Sequence, residues 1–254
     1  MTAFILKLFA CLAMLVDHIA VVFEPQLTAV SPWLYVGCRM FGRLAFPLFA
    51  MGIGEGVIHT SNPKKYLSRM LLFAVIAQVP FSLMTGVASP SRVLQLFGRS
   101  VPVNISFSVM VTLFLGLAVC VSIHEGKHFG GAFALAAAVL IDRTVGMDYG
   151  LIGVLFIVAL YMARETKFRR FLITVIFAGL FYLSPLMTFV KQAIASGQAE
   201  ITRGVLFFLA TAFSAFIMLL YNRREGKKAK LFLYFFYPVH MLLIWLVWFV
   251  TRAA

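Results

Sequence analysis

Acidic side chains are scarce in this chain. Its 254 residues hold 9 Asp and Glu against 22 Lys and Arg, and charged residues of both signs make up 12%. So little polar surface cannot cover a water-soluble globule when 62% of the residues are hydrophobic and 27 are Phe; a bilayer absorbs such surface and water does not. The 3 cysteines, Cys11, Cys38 and Cys120, are isolated, which excludes a C-x-x-C metal or redox pair and a disulfide framework. Asp17, His18, Glu55 and His240 show no local ligand spacing such as H-x-x-x-H, and His124 and His128, though four apart, read as loop residues, so no metal is expected; G-x-S-x-G is absent, so no serine-hydrolase elbow is present. No inverted repeat of the transporter kind is evident. Connections of at most about fifteen residues leave no room for a soluble domain. Residues 1–254 therefore read as a single integral membrane domain, all-α, a polytopic helix bundle.

The formal charge of +13 would suggest nucleic acid in a soluble chain. Here most of the excess lies in short connections, the pattern of topology-setting charge, and no nucleic acid is expected. The segment from Met1 to Phe23 has one basic residue, Lys7, no A-x-A cleavage site, and an apolar run interrupted by Asp17-His18. It reads as a retained first helix rather than a signal peptide.

Apolar stretches predict about nine spans, at 4–23, 32–58, 67–87, 103–122, 129–142, 149–163, 168–190, 201–221 and 231–250, of which the fifth and sixth are short and read as tilted or partly re-entrant. One set of alternate connections carries Lys64, Lys65, Arg69, Lys127, Arg164, Lys167, Arg169, Arg170, Arg223, Arg224, Lys227, Lys228 and Lys230, with Lys7 at the same end. The other set carries Arg92, Arg99, Arg143, Lys191, Arg203 and Arg252. The positive-inside rule then puts the N-terminus in the cytoplasm and the C-terminus outside.

Ionisable groups at bilayer depth cost about 2.5–3.5 kcal/mol each on insertion scales and mark function by default. Asp17 and His18 sit in the first span, Arg39 and Arg43 one turn apart in the second. Lys7, Cys11, Met14 and His18 share one helical face, and Lys7 lies ~16 Å along the axis from His18. His18 is the candidate general base, tunable around neutral pH. The arginines either clamp phosphate or carboxylate oxygens or neutralise Asp17 and Glu55; Asp17 paired with Arg39 or Arg43 would only join two helices. Gly42 lets another chain element approach closely. Glu55, flanked by Gly52, Gly54 and Gly56, either pairs with Lys64 or Lys65 or serves the site. The three glycines suggest close packing or a local break. Asp148 before Tyr149 reads as a helix cap or an acceptor contact. Tyr237 and His240 project from adjacent turns of the last span, with His240 expected neutral and hydrogen-bonded near the site.

These motifs resemble the TraX family. The resemblance rests on Leu6-Lys7, Met14 to Ile19, Arg39-Met40-Phe41-Gly42-Arg43-Leu44-Ala45-Phe46-Pro47, Glu55-Gly56, Asn104 to Phe107, Asp148-Tyr149-Gly150 and Phe236 to His240, and covers nearly the whole chain. That family includes a conjugative-transfer protein implicated in N-terminal acetylation of pilin. The same residues are similar to the pattern of acyltransferase-3-like membrane enzymes, with Lys7 and His18 on the first helix, Arg39 and Arg43 later, and Tyr237 and His240 at the end. What the resemblance implies is a membrane acyltransferase-like fold in the bacterial inner membrane. It also implies transfer of an acetyl group from cytoplasmic acetyl-CoA to an exported peptide N-terminus or an envelope glycan, with His18 central. Asp17, Arg39 and Arg43 would share the catalytic site. Lys7, Arg39 and Arg43 would contact the donor, and Lys64, Lys65, Arg69 or the basic run 164–170 would meet its phosphates. A proton-coupled transporter using Asp17, His18, Glu55 and His240 is the competing reading, and a non-catalytic assembly scaffold the third.

Overall fold

The computed structural model describes residues 1–96, 98–182, 198–224, 226–227 and 230–252. The helices are α1 (Ala3–Val22), α2 (Glu24–Val30), α3 (Pro32–Gly42), α4 (Ala45–His59), α5 (Pro63–Ala88), α6 (Val109–His124), α7 (His128–Thr144), α8 (Gly150–Met162), α9 (Lys167–Tyr182), α10 (Gln198–Leu219) and α11 (Lys230–Thr251). Two strands, β1 (Arg92–Leu96) and β2 (Arg99–Val103), form an antiparallel hairpin with Arg92 opposite Val103. Among the described residues the chain is thus all-α apart from one short hairpin that the apolar pattern does not announce. Lys191 and Lys228 of the loop cations, and positions 183–190 of the seventh expected span, lie outside the described residues.

The expected count of about nine spans is not supported. Among the described residues, five segments are long and apolar enough to cross a membrane: Ala3–Val22, Pro32–His59, Pro63–Ala88, Thr202–Leu219 and Tyr234–Thr251; Val109–His124 and Gly150–Met162 are apolar but shorter. The chain is a multi-pass membrane protein, and the outward faces agree with that. Along α5, Leu72, Val75 and Val79 are exposed while Phe73, Ala74 and Ala77 are buried, an apolar exterior suited to hydrocarbon.

Local chemistry sets the breaks. Thr2 accepts a hydrogen bond from the Ile5 amide at the start of α1, and Asn62 accepts one from the Lys65 amide before α5. The stretch 32–58 is not one straight helix. It divides at Arg43-Leu44, four residues before Pro47, whose ring has no N–H for the Arg43 carbonyl and crowds it. The break therefore falls here and not at Gly52, Gly54 and Gly56, through which α4 runs unbroken.

One apolar core runs through α1, α4, α5, α6, α8, α10 and α11, with Leu6, Phe46, Phe73, Leu117, Phe156, Met218 and Tyr237 among its members. The hairpin is seated on α5 because Gly86 has no side chain; a Cβ there would overlap the backbone of Pro102 and Val103. At the opposite end the basic connections meet. Arg223 donates to the carbonyls of Arg164 and Glu165 at 2.8 Å, and the Ala3 amide donates to the Arg224 carbonyl at 2.8 Å. In the exposed connection between α6 and α7, Lys127 donates to Glu125 at 2.6 Å and holds its carboxyl below the ordinary range.

Candidate active site between two cavities

The polar face of α1 separates into two chambers. At the hairpin end a cavity of about 480 Å³ is lined by Asp17, His18, Arg39, Arg43, Asp148 and Tyr149, with Thr85, Ser89, Asn104 and Ser106. At the basic end a cavity of about 170 Å³ is lined by Lys7, His59, Tyr66, Arg69, Tyr234 and Tyr237 among others. Met14, Phe49 and Val109 line both. Lys7, Met14 and His18, read as one stripe, thus run from one chamber to the next past a shared wall.

Asp17 is the hub of the hairpin-end chamber. Nη2 of Arg43 donates to both of its oxygens, at 2.9 and 3.0 Å. Arg39 Nη1 lies 2.8 Å from one of them as an ion pair. The helix-joining reading of Asp17 is therefore correct as far as it goes, and it binds both arginines at once. Gly42 makes this possible: a Cβ there would occupy the place of the Asp17 carboxylate. Arg43 also donates to the Arg39 carbonyl at 3.4 Å and to the Tyr182 hydroxyl at 3.5 Å, and it lies over the Phe207 ring at 5.6 Å. Asp17 is thus the shared counter-ion of both guanidiniums, and Asp148 is the other carboxylate that lines the chamber.

His18 does not take its orientation from Asp17. Its Nδ1 lies 2.8 Å from Nε2 of His240, with ring planes within 6° of each other. Nδ1 of His240 is 2.6 Å from the Phe236 carbonyl, and the Phe236 ring stacks on His240 with centroids 4.7 Å apart. Tyr237 closes the group, its ring 6.4 Å from that of His18 and 6.0 Å from that of His240. His240 is expected near the site as a histidine within a span and Tyr237 through the family resemblance, and the fold brings both to the first helix across 222 and 219 residues of chain.

Asp148 is held by its backbone rather than used as a cap. The Phe107 amide donates to the Gly146 carbonyl at 3.0 Å and the Asp148 amide to the Phe107 carbonyl at 2.9 Å, which pins the loop between α7 and α8 beside the loop before α6. The N-cap of α8 is Tyr149 in the left-handed region, φ 63°, with no side-chain cap bond. A non-glycine residue held there costs of order 1 kcal/mol or more and persists only where its surroundings fix it. Here the Tyr149 ring stacks on Phe46 at 3.7 Å. Gln78 builds the adjoining wall, donating to the Ser106 carbonyl at 2.8 Å and accepting from the Ser108 amide at 3.1 Å. Asn104 accepts from the Ser106 amide at 2.8 Å.

Glu55 has a different partner from the one expected. Lys64 and Lys65 are exposed at the start of α5, whereas Glu55 faces Arg170 Nη1 at 3.5 Å and accepts from the Tyr221 hydroxyl at 3.4 Å. Arg170, counted as a loop cation, is 2% exposed inside α9. A signal for this existed: Arg170, Thr174 and Ala178 recur every four residues on one buried face. Of the basic residues offered for donor phosphates, Arg69 joins Lys7 in the basic-end chamber and the two lysines do not line it.

The TraX family model, described as TraX protein, matches residues 3–248. The "Probable fimbrial assembly protein FimC, serogroup H1" of Dichelobacter nodosus is 28% identical over 252 residues, covering 96% of this chain and 94% of its own length. No solved structure matches.

Proposed function

The chain belongs to the TraX family, and from that premise we propose that it is a membrane-bound acetyltransferase that carries an acetyl group from cytoplasmic acetyl-CoA to an amine or hydroxyl acceptor at or across the membrane. The observation that carries this reading is the pair of chambers. His18, Arg39 and Arg43 line one, Lys7 and Arg69 line the other, and Met14, Phe49 and Val109 belong to both.

In this reading Lys7 and Arg69 meet the anionic end of the donor, while the pantetheine arm runs along the face of α1 toward His18. Nε2 of His18 removes the acceptor's proton as its nitrogen or oxygen bonds to the acetyl carbon. The negative charge that develops on the thioester oxygen is stabilised by Arg39 and Arg43, which share Asp17 as their paired carboxylate. Collapse breaks the carbon–sulfur bond, the proton held on Nε2 of His18 passes to the departing sulfur, and the free thiol leaves toward the basic end. Transfer through an acyl-His18 intermediate would instead give ping-pong kinetics.

The acceptor is met by Asp148, Tyr149, Asn104 and Ser106 at the hairpin end. The similarity to a probable fimbrial assembly protein favours the amino terminus of an exported peptide such as pilin, with an envelope glycan hydroxyl as the other class. The protein sits in the bacterial inner membrane with its basic end, and so its N-terminus, in the cytoplasm. The transporter alternative needs carboxylates able to exchange protons. Asp17 and Glu55 are instead counter-ions of Arg39, Arg43 and Arg170, which favours the transferase.

Purified protein with radiolabelled acetyl-CoA and a pilin-like peptide tests the proposal. Transfer is expected from the wild type and lost in His18→Ala. Undiminished transfer in that variant, or proton flux into liposomes with no acetylation by the wild type, would refute it.

A further inference from the structure

His18 and His240 are joined by a hydrogen bond whose direction the surrounding atoms decide. A carbonyl oxygen only accepts, so at 2.6 Å from the Phe236 carbonyl Nδ1 of His240 must carry hydrogen. In the neutral ring its Nε2 then holds a lone pair. That nitrogen lies 2.8 Å from Nδ1 of His18, which must therefore be the donor. The ring centroids are 5.0 Å apart with planes within 6°. Two ring radii added to the 2.8 Å contact nearly exhaust that separation, so the N–H points along the lone pair rather than across a stack. Nε2 of His18 is left unprotonated, and no hydrogen bond reaches it among the described residues.

We propose that His240 is the positioning residue of this site: together with the Phe236 carbonyl it fixes His18 in the Nδ1–H tautomer and so keeps Nε2 as the proton acceptor on the wall of the hairpin-end cavity. The proton arrangement follows from the geometry alone, whereas the positioning role rests on the acetyl-transfer reading. Asp17, the sequence neighbour that would be the obvious orienter, is held by Arg39 and Arg43. Its place is taken by a histidine on α11. When Nε2 of His18 receives a proton, the imidazolium keeps its Nδ1–H directed at His240, so no ring rotation is needed between proton uptake and release.

The test uses full-length protein in lipid nanodiscs with its histidines labelled in nitrogen-15. The His18 signals are identified by their loss in His18→Gln. At neutral pH the wild type should show His18 protonated on Nδ1 and bare on Nε2. His240→Gln, whose side-chain oxygen can stand where Nε2 stood, should keep that pattern and hold kcat within about threefold of wild type. His240→Phe keeps an aromatic ring but no acceptor; it should mix the two tautomers and lower kcat by about 10–100-fold, part of the range of general-base catalysis, with the KM for acetyl-CoA little changed. A wild-type His18 protonated on Nε2 would overturn the proton arrangement without any variant having to fold. A His18 pattern or a kcat indifferent to His240→Phe would overturn the positioning role. Absence of acetyl transfer from the wild type itself would count against the enzymatic reading and leave the tautomer measurement standing.

Discussion

One nitrogen of Arg43 holds both oxygens of Asp17, at 2.9 and 3.0 Å. The carboxylate beside His18 in sequence is thereby committed to the second helical segment and not to its neighbour. A double-mutant cycle with Asp17→Asn and Arg43→Gln should give a coupling of about 1–3 kcal/mol in unfolding free energy, as expected for residues of one polar network. Additive effects in thermal or denaturant melts would show that the pair is not energetically joined.

Gly42 and Gly37 lie on the same helix and should respond oppositely to Ala. At Gly42 the new methyl would meet the Asp17 carboxylate, and a loss of about 1–3 kcal/mol is expected from overpacking, together with reduced acetyl transfer. At Gly37 nothing lies within 4 Å of the new atom, and about 0.5–1 kcal/mol of gain is expected from helix propensity. Melting temperatures of the two variants decide it; equal responses would remove the proposed role of Gly42.

Glu55 and Arg170 form a buried ion pair, with side-chain exposures of 12% and 2%. Removing one partner strands the other, so Glu55→Leu alone should cost about 3–5 kcal/mol. The double variant Glu55→Leu with Arg170→Met should recover most of that loss, because paired apolar replacement removes both charges from the interior. A double variant as unstable as the single one would mean that the pair does more than compensate charge.

Lys7 and His18 should separate kinetically. Lys7→Ala is expected to raise the KM for acetyl-CoA about tenfold with kcat little changed, the mark of a contact made equally in ground and transition states. A fall in kcat with unchanged KM would place Lys7 at the reacting centre instead.

The shared wall gives a steric test. Val109→Trp should block the route past the shared wall that the transfer reading requires and lower kcat by about 10²-fold, the cost of displacing reacting groups by roughly 1 Å. Binding of CoA at the basic end, measured by calorimetry, should stay within a few-fold. Full activity in this variant would show that the donor reaches His18 by another route.

Much of the site was legible because burying charge in an apolar chain is costly, so Asp17, His18, Arg39, Arg43 and Glu55 stand out against their surroundings. Partner choice was not legible to the same degree. Glu55 has Lys64 and Lys65 near it in sequence, yet α9 delivers Arg170 to it, because the lysines open α5 at the exposed end of the bundle while Arg170 sits on a buried face. The sequence offers Asp148 as a cap, whereas the left-handed Tyr149, its ring stacked on Phe46, takes the cap position.

By itself the amino-acid order determined that this is a helical membrane protein with a polar stripe on its first helix, since composition and period three-to-four spacing are properties of the chain alone. It also contains Pro47, which divides the second apolar segment into two helices within one span-length stretch. Only the tertiary structure decided that His240 and not Asp17 orients His18, that one carboxylate serves two arginines, and that two chambers share the wall of Met14, Phe49 and Val109. These relations join residues far apart in sequence, and hydrogen-bond direction and cavity shape do not exist until the helices have packed.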